Sequence, residues 1–530
     1  MKFLLRAAAA LTLLMTGNAA QAAWQLATSK HFAVYVDGSE AQARDAATRL
    51  EKFQIALRFL SGATGESSPV RIKVFLVDDP DAVQATMPFG GGNVLGYYSS
   101  TIRGPYTVMS RSDARGSRGS RGEVYMADMK AQQVLFHELT HHFSRQYFPA
   151  AYPTWYSEGF AEFIGSMELE ANDRVVVGQP VQSRYASFGG NDWLHARKLL
   201  TAKEYRDVAG DVHLLYAEGW LLVHYLTNTR ERPGQLRSYL SLINKGVAFD
   251  QAAQQAFGDL DKLNDELRNY SRRAKLDAMV LPFKKMEIGE VAVRRLSPGE
   301  QALLPFDIRL YSGIPAGTAT EFADRVAASA QRYPTDPEAF RVLFEAQRLA
   351  GRNAQAKTAA DRWLELAPES GLAIAAKAEA LSDALAAAAN RDAAQWGAVR
   401  KLYADAAKKA ANEPRILQGF YQSYVRQGVR PPESAQNALY TAFELLPQFD
   451  DLRMQLAGDF EMRGMIDEAI AIIRPEAYLS IDPSALGESE KRKREARLKK
   501  YREAGEKETE TPREMLNRLE AKKKGAAAAK

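Results

Sequence analysis

The residues with the clearest capacity for chemistry are His137-Glu138-Leu139-Thr140-His141, an H-E-x-x-H segment. Residues four apart on a helix lie one turn above each other on the same face. The two imidazoles therefore converge on one point, at the separation that a single zinc ion takes. Glu138 lies beside them, where a carboxylate can take a proton from metal-activated water. Val134, Leu135, Phe136, Leu139 and Phe143 supply apolar positions that can bury the rest of such a helix. His142 points about 100° away from His141 and is not expected to share the ion.

A catalytic zinc needs a third protein ligand and an open fourth position. The segment that follows is Thr154-Trp155-Tyr156-Ser157-Glu158-Gly159-Phe160-Ala161-Glu162-Phe163, with Glu158 placed 17 residues after His141. A short loop and a second helix can bring Glu158 to the metal. Glu162, one turn later on the same face, can steady a ligating histidine by a hydrogen bond. Spacing alone leaves two other readings open. Glu162 can be the ligand with Glu158 in support, or both can be solvated helix charges. No further histidine follows at the metzincin spacing, and no Met-turn is apparent.

H-E-L-T-H-H-F, a proline-aromatic loop and W-Y-S-E-G-F-A-E-F together resemble the gluzincin pattern of the peptidase MA-like family. The likeness spans roughly residues 24 to 275 and is specific over 137–163. It implies an α+β zinc peptidase domain, a small mixed sheet plus a helical lobe. It also implies one catalytic Zn2+ held by His137, His141 and Glu158, with Glu138 as general base. The segment Leu215-Tyr216-Ala217-Glu218-Gly219-Trp220 resembles the helix that follows the glutamate in that family. By that analogy Tyr216 is the candidate donor to a developing oxyanion. His213 and His224 are fallback donors. The Gly-x-Met-Glu-Asn segment with which aminopeptidases grip a free N-terminus has no counterpart, so exopeptidase action is not implied.

The elements that must position these residues are legible as periodicity. His31 to Asp37 and Val70 to Val77 alternate as strands, and Ala41 to Leu60 carries a helical stripe of Ala47, Leu50, Phe53, Leu57 and Leu60. Val94 to Tyr98 and Tyr106 to Ser110 are expected as short strands, either of which can be the edge along which an extended peptide lies. Gly90-Gly91-Gly92 and the arginine-rich Ser110–Gly122 loop are expected to flex. Helices are expected over Met129–Tyr147, Tyr156–Met167, Leu214–Asn228, Gly234–Lys245 and Leu260–Lys275. Val291–Val293 and Phe306–Ile308 flank Ser297-Pro298-Gly299, which suggests a hairpin at a domain junction.

Beyond Pro315 the chain is alanine-rich and helical. Prolines at 334, 368, 414 and 447 are spaced by 34, 46 and 33 residues. A period near 34 is the tetratricopeptide length, and the middle interval needs an insertion. The expected division is 1–22 signal peptide, 23–282 zinc metallopeptidase-like domain, 283–315 strand-rich linker or hairpin, 316–482 all-α tetratricopeptide-like repeats, and 483–530 a charged helical or disordered tail.

Met1 to Arg6 supplies a positive start, Ala7 to Met15 an apolar run and Ala20-Gln21-Ala22 a cleavage site, the pattern of a secretory signal. The chain has no cysteine, which excludes disulfides and a lipoprotein anchor. It is expected to be exported, periplasmic or secreted, without an integral membrane segment after cleavage. A net charge of +5 on 530 residues is too small to argue for nucleic acid. The expected partners are a peptide or protein substrate and a protein on the repeats. The competing reading is a non-catalytic envelope scaffold whose repeats do the binding. A zinc hydrolase acting on a non-peptide amide is a third.

Overall fold

The computed structural model of the protein describes residues 24–87, 94–112, 130–180, 192–202, 205–208, 211–477, 495 and 510–528. The expected signal peptide, the Gly90–Gly92 run and the Ser110–Gly122 loop beyond residue 112 lie outside the described residues.

The chain opens with β1 (Trp24–Thr28), β2 (Phe32–Asp37), α1 (Glu40–Ser61), β3 (Ile72–Val77), α2 (Pro80–Thr86), β4 (Gly96–Thr101) and β5 (Gly104–Ser110). Ser39 caps α1 through its hydroxyl and Gln42 closes the capping box, so two otherwise orphaned N–H groups are satisfied. The helices that carry the motif residues are α3 (Ala131–Tyr147) and α4 (Thr154–Gly165). After them come β6 (Glu168–Leu169), β7 (Val175–Val177), α5 (Ala196–Thr201), α6 (Val212–Asn228), α7 (Gln235–Asn244), α8 (Phe249–Phe257), α9 (Leu260–Ser271), β8 (Met279–Leu281) and β9 (Ala292–Arg295).

Six strands form one sheet in the order β4-β5-β3-β2-β1-β9, with β2, β3 and β5 parallel and the outer pairings antiparallel. The period-2 alternation divides the core. Phe32, Val34, Val36, Ile72, Val74 and Met109 face α1 and α3. Phe75, Val77, Tyr106 and Val108 face the other way. Covered on both faces, β3 reads as a near-continuous apolar run. A second sheet joins β6, β7 and β8.

The hairpin expected around Ser297-Pro298-Gly299 is not formed. β9 adds to the far edge of the first sheet beside β1, and α10 (Pro298–Ser312) follows at once. Ser297 is an N-cap, Glu300 completes its capping box, and Pro298 occupies the first turn. Ser-Pro-x-Glu is thus a helix start, where proline's missing N–H costs nothing. The strand-rich linker at 283–315 is therefore a short strand and a helix. Leu304, Ile308 and Tyr311 of α10 close the second face of the sheet.

Helices then run in succession: α11 (Ala319–Ala330), α12 (Pro337–Leu349), α13 (Asn353–Leu366), α14 (Gly371–Ala387), α15 (Ala393–Lys409), α16 (Pro414–Gln427), α17 (Glu433–Leu445), α18 (Asp450–Met462) and α19 (Ile466–Ala477). Each packs on the next, and α12, α14 and α16 also touch in turn, which is how paired helices stack in a solenoid. The long middle interval is no separate insertion. Helices α14 and α15 have 17 residues each, against 13 and 14 in the pair before them.

The charged C-terminal segment is also more than a solvated tail. Within it, α20 (Pro512–Ala528) docks on α19, burying Met515, Leu516 and Leu519 against Ala469, Ile470 and Ile473. Among the described residues no helix is long and apolar enough to cross a membrane.

Candidate metal centre

Helix α3 is set by its apolar face. Phe136 stacks on Phe53 of α1 with ring centroids 4.2 Å apart, and Leu139 and Phe143 are buried in the same cluster. That anchoring turns His137 and His141 toward α4. The Nε2 atoms of the two imidazoles lie 3.2 Å apart. Glu158 Oε2 is 3.2 Å from His137 Nε2 and 3.5 Å from His141 Nε2. The side chains of His137, His141 and Glu158 are 12%, 23% and 9% exposed.

These three atoms make a nearly equilateral triangle. A tetrahedral zinc with ligands about 2.0–2.1 Å away separates them by roughly 3.3 Å. The triangle therefore has the dimensions that His137, His141 and Glu158 would take as three ligands of one zinc ion. The electrostatics agree with that fit. Burial pushes His137 down, but hydrogen bonds with Glu158 and Glu162 outweigh it and hold the imidazole at about 10. Burial likewise pushes Glu158 up, yet the imidazoles of His141 and His137 hold it well below the usual carboxylate range. Without a cation, the cluster retains a proton where positive charge is wanted.

Glu162 lies behind the triangle and not in it, with Oε1 3.3 Å from His137 Nδ1. Each α4 carboxylate thus meets a different nitrogen of the same imidazole. Ser157, which sequence reasoning passed over, places Oγ 3.4 Å from His141 Nδ1. Its position beside Glu158 on a helix facing α3 was the available signal. Glu138 accepts a hydrogen bond from the Tyr98 backbone, and burial raises its pKa.

α4 reaches this position because α6 crosses it at two glycines. A Cβ on Gly159 would lie 2.3 Å from the Gly219 carbonyl carbon. The same crossing brings Tyr216 beside the histidines, its ring centroid 6.3 Å from that of His137. His224 is not at the site. It is fully buried and bonds Tyr270 Oη at 2.8 Å. His213 sits in the first turn of α6. His142 turns away from the triangle, as its helical angle requires, and bonds Tyr98 Oη at 2.9 Å. Burial pushes it down to about 3.

The edge of the sheet beside α3 is β4, while β5 is interior. Of the two candidate edges, Tyr106 to Ser110 is therefore ruled out. Leu95 O bonds Ser110 N, so the intervening register leaves the polar backbone atoms of Gly96, Tyr98 and Ser100 pointing away from β5.

No family model and no curated protein matches the chain. Among solved structures, it aligns with a thermophilic TPR protein of Thermus thermophilus at 20% identity and a TM-score of 0.27, covering 38% of this chain and 94% of that one. It aligns with yeast Tom70 at 12% identity and a TM-score of 0.23, covering 73% of this chain and 76% of that one. The stacked pairs of α12–α19 stand on this chain's own packing.

Proposed function

We propose that the chain is an exported zinc-dependent peptidase, with His137, His141 and Glu158 as the metal ligands. The observation that carries this reading is the 3.2–3.5 Å triangle of their ligand atoms with Glu138 on the same helix turn. A bound zinc supplies Lewis-acid polarisation of a carbonyl and acidifies water. Glu138 accepts the water's proton and returns it to the leaving amine. Glu162 fixes the orientation of His137, and Ser157 does the same for His141. Tyr216 donates a hydrogen bond to the oxyanion that develops on the scissile carbonyl. An extended substrate pairs with the outward backbone groups of β4 other than the Tyr98 N–H, which Glu138 holds. The Met1–Ala22 pattern supports export to the periplasm or beyond the cell.

The stacked helices α12–α19 favour a second reading, a protein-binding role in which the metal lobe is a scaffold. Glu138 separates the two, because only turnover needs it. Glu138→Gln is expected to keep one zinc per chain by elemental analysis and to lose casein cleavage by roughly 100-fold or more. Equal cleavage by wild type and variant sinks the proposed base. A zinc-loaded wild type that cleaves no peptide in a broad library supports the scaffold.

A further inference from the structure

His31, on the turn before β2, has partners that no sequence pattern announced. Its Nδ1 lies 2.6 Å from Glu51 Oε2 on α1, and its Nε2 lies 2.8 Å from Ser67 Oγ in the loop before β3. Its backbone N–H also donates to Glu51 Oε1 at 2.8 Å, so both carboxylate oxygens are engaged. The His31 and Glu51 side chains are 13% and 6% exposed, while Ser67 is half-buried. Burial pushes the Glu51 carboxyl up, but the His31 hydrogen bonds outweigh it and keep it ionised.

The proton order in this chain of groups is determined by what each can accept. An ionised Glu51 only accepts, so His31 turns an Nδ1 proton toward it, and in that tautomer Nε2 presents a lone pair. Gln54 Nε2 donates to Tyr147 Oη at 3.3 Å, and Tyr147 donates its own proton to Ser67 Oγ at 3.1 Å. Ser67 must then donate to His31. This is the polarity of a serine nucleophile, its imidazole base and the carboxylate that orients that base. Arg58 Nη1 stands 3.4 Å from Ser67 Oγ, and its Nη2 is tied to Gly65 O at 2.7 Å. A cation is thus held against the serine oxygen, one bond from the carbon whose oxygen would gain negative charge on attack.

We infer that Ser67, His31 and Glu51 form a second hydrolytic site, independent of the metal centre, that cleaves small carboxylic esters. Ser67 Oγ attacks the ester carbonyl carbon as its proton passes to His31 Nε2. The bond to the leaving alkoxide breaks, and His31 returns that proton to it. Water then loses a proton to His31 while its oxygen displaces Ser67 from the acyl group, which leaves as the carboxylic acid. His31 restores the proton to Ser67. As the new bond to carbon forms, Arg58 and Tyr147, which donate to Ser67 Oγ in the resting site, turn those hydrogen bonds to the neighbouring oxyanion. A serine on a surface loop suits a short acyl group rather than a long one that needs an enclosed tunnel. The neighbouring Ser68, whose Oγ donates to Leu445 O at 2.7 Å, marks where α17 bounds the site.

The test uses the full chain after treatment with a metal chelator, so that its outcome does not depend on the zinc reading. A fluorophosphonate probe is added, and the adduct is located by mass spectrometry of the digested protein. The expected result is one adduct, on Ser67, formed by folded but not by heat-unfolded protein. In His31→Gln, labelling is expected to slow by roughly 100-fold or more. No adduct on Ser67 in the folded wild type overturns the proposal, as does wild-type labelling by a folded His31→Gln. Should that variant not fold, the comparison of folded and unfolded wild type decides alone.

Discussion

At the scale of single residues, the candidate metal centre is defined by which nitrogen of His137 meets which carboxylate. Glu158 faces Nε2 and Glu162 faces Nδ1, so the two glutamates are not interchangeable. Glu158→Gln is expected to abolish tight zinc binding, whereas Glu162→Gln weakens it about 10- to 100-fold. A competitive chelator titration separates the two. The proton held by His137 makes a further expectation. With its imidazole kept at about 10, the ring is protonated at neutral pH and must lose that proton to ligate. Zinc loading at pH 7.5 should release about one proton, and affinity should rise about tenfold per pH unit up to the imidazole's own titration. Calorimetry in two buffers of different ionisation enthalpy measures the release. The sequence made His137, Glu138 and His141 legible because four-residue spacing on a helix is a local property. It put Glu158 ahead of Glu162 as the ligand but left the reverse open, because both lie on the same face of α4.

At the scale of elements, the α4–α6 crossing positions the proposed third ligand. Gly159→Ala puts a methyl group into the Gly219 backbone, and overpacking of this kind costs about 1–3 kcal/mol or more. A lowered Tm together with weakened zinc binding is expected. A Tm loss with unchanged affinity would mean that the crossing does not position Glu158. Next to Gly219, Glu218 is only 1% exposed and accepts from Leu194 N at 2.6 Å. Burial pushes its pKa up to about 9. Below the ordinary carboxylate range, folded and unfolded chains both hold this proton. As pH rises toward about 9, the unfolded chain releases it and the folded chain does not, so stability falls by up to ~1.4 kcal/mol per pH unit. Glu218→Gln removes this contribution while keeping an acceptor for Leu194. Its Tm advantage over wild type should grow between pH 5 and pH 8, and a constant offset would contradict the assignment. Most element types followed from periodicity, but β1, the short helices α2 and α5, α8, α10 and the small β6-β7-β8 sheet did not. Strands of two to five residues are too short to show a period.

At the scale of the whole molecule, the helical region is part of the N-terminal lobe's own core. α10 seals one face of the sheet, and Asp307 on it bridges Arg103 of the β4–β5 turn and Arg341 of α12. Farther along, Val70 and Ile102 pack among α16–α18. Arg145, one turn beyond His141, meets Asp450 and Glu476 at 3.5 and 3.3 Å. The repeats thus touch the lobe near both of their ends. A chain ended at Leu296 leaves Phe75, Val77, Tyr106 and Val108 facing water, and an apolar patch of this kind promotes association. Such a truncation is expected to aggregate on size-exclusion chromatography, while a monodisperse folded product would show that the lobe is self-sufficient.

Order along the chain was enough to place the paired imidazoles and the adjacent carboxylate on one stretch of helix. Each depends on residues within a few positions of one another, where backbone geometry alone decides what meets. Folding in three dimensions was needed to show which glutamate faces both Nε2 atoms, that α10 belongs to the sheet, and that His31 meets Glu51 and Ser67. Those contacts join residues 17 to over 200 positions apart, and packing of separate elements, not local spacing, brings them together.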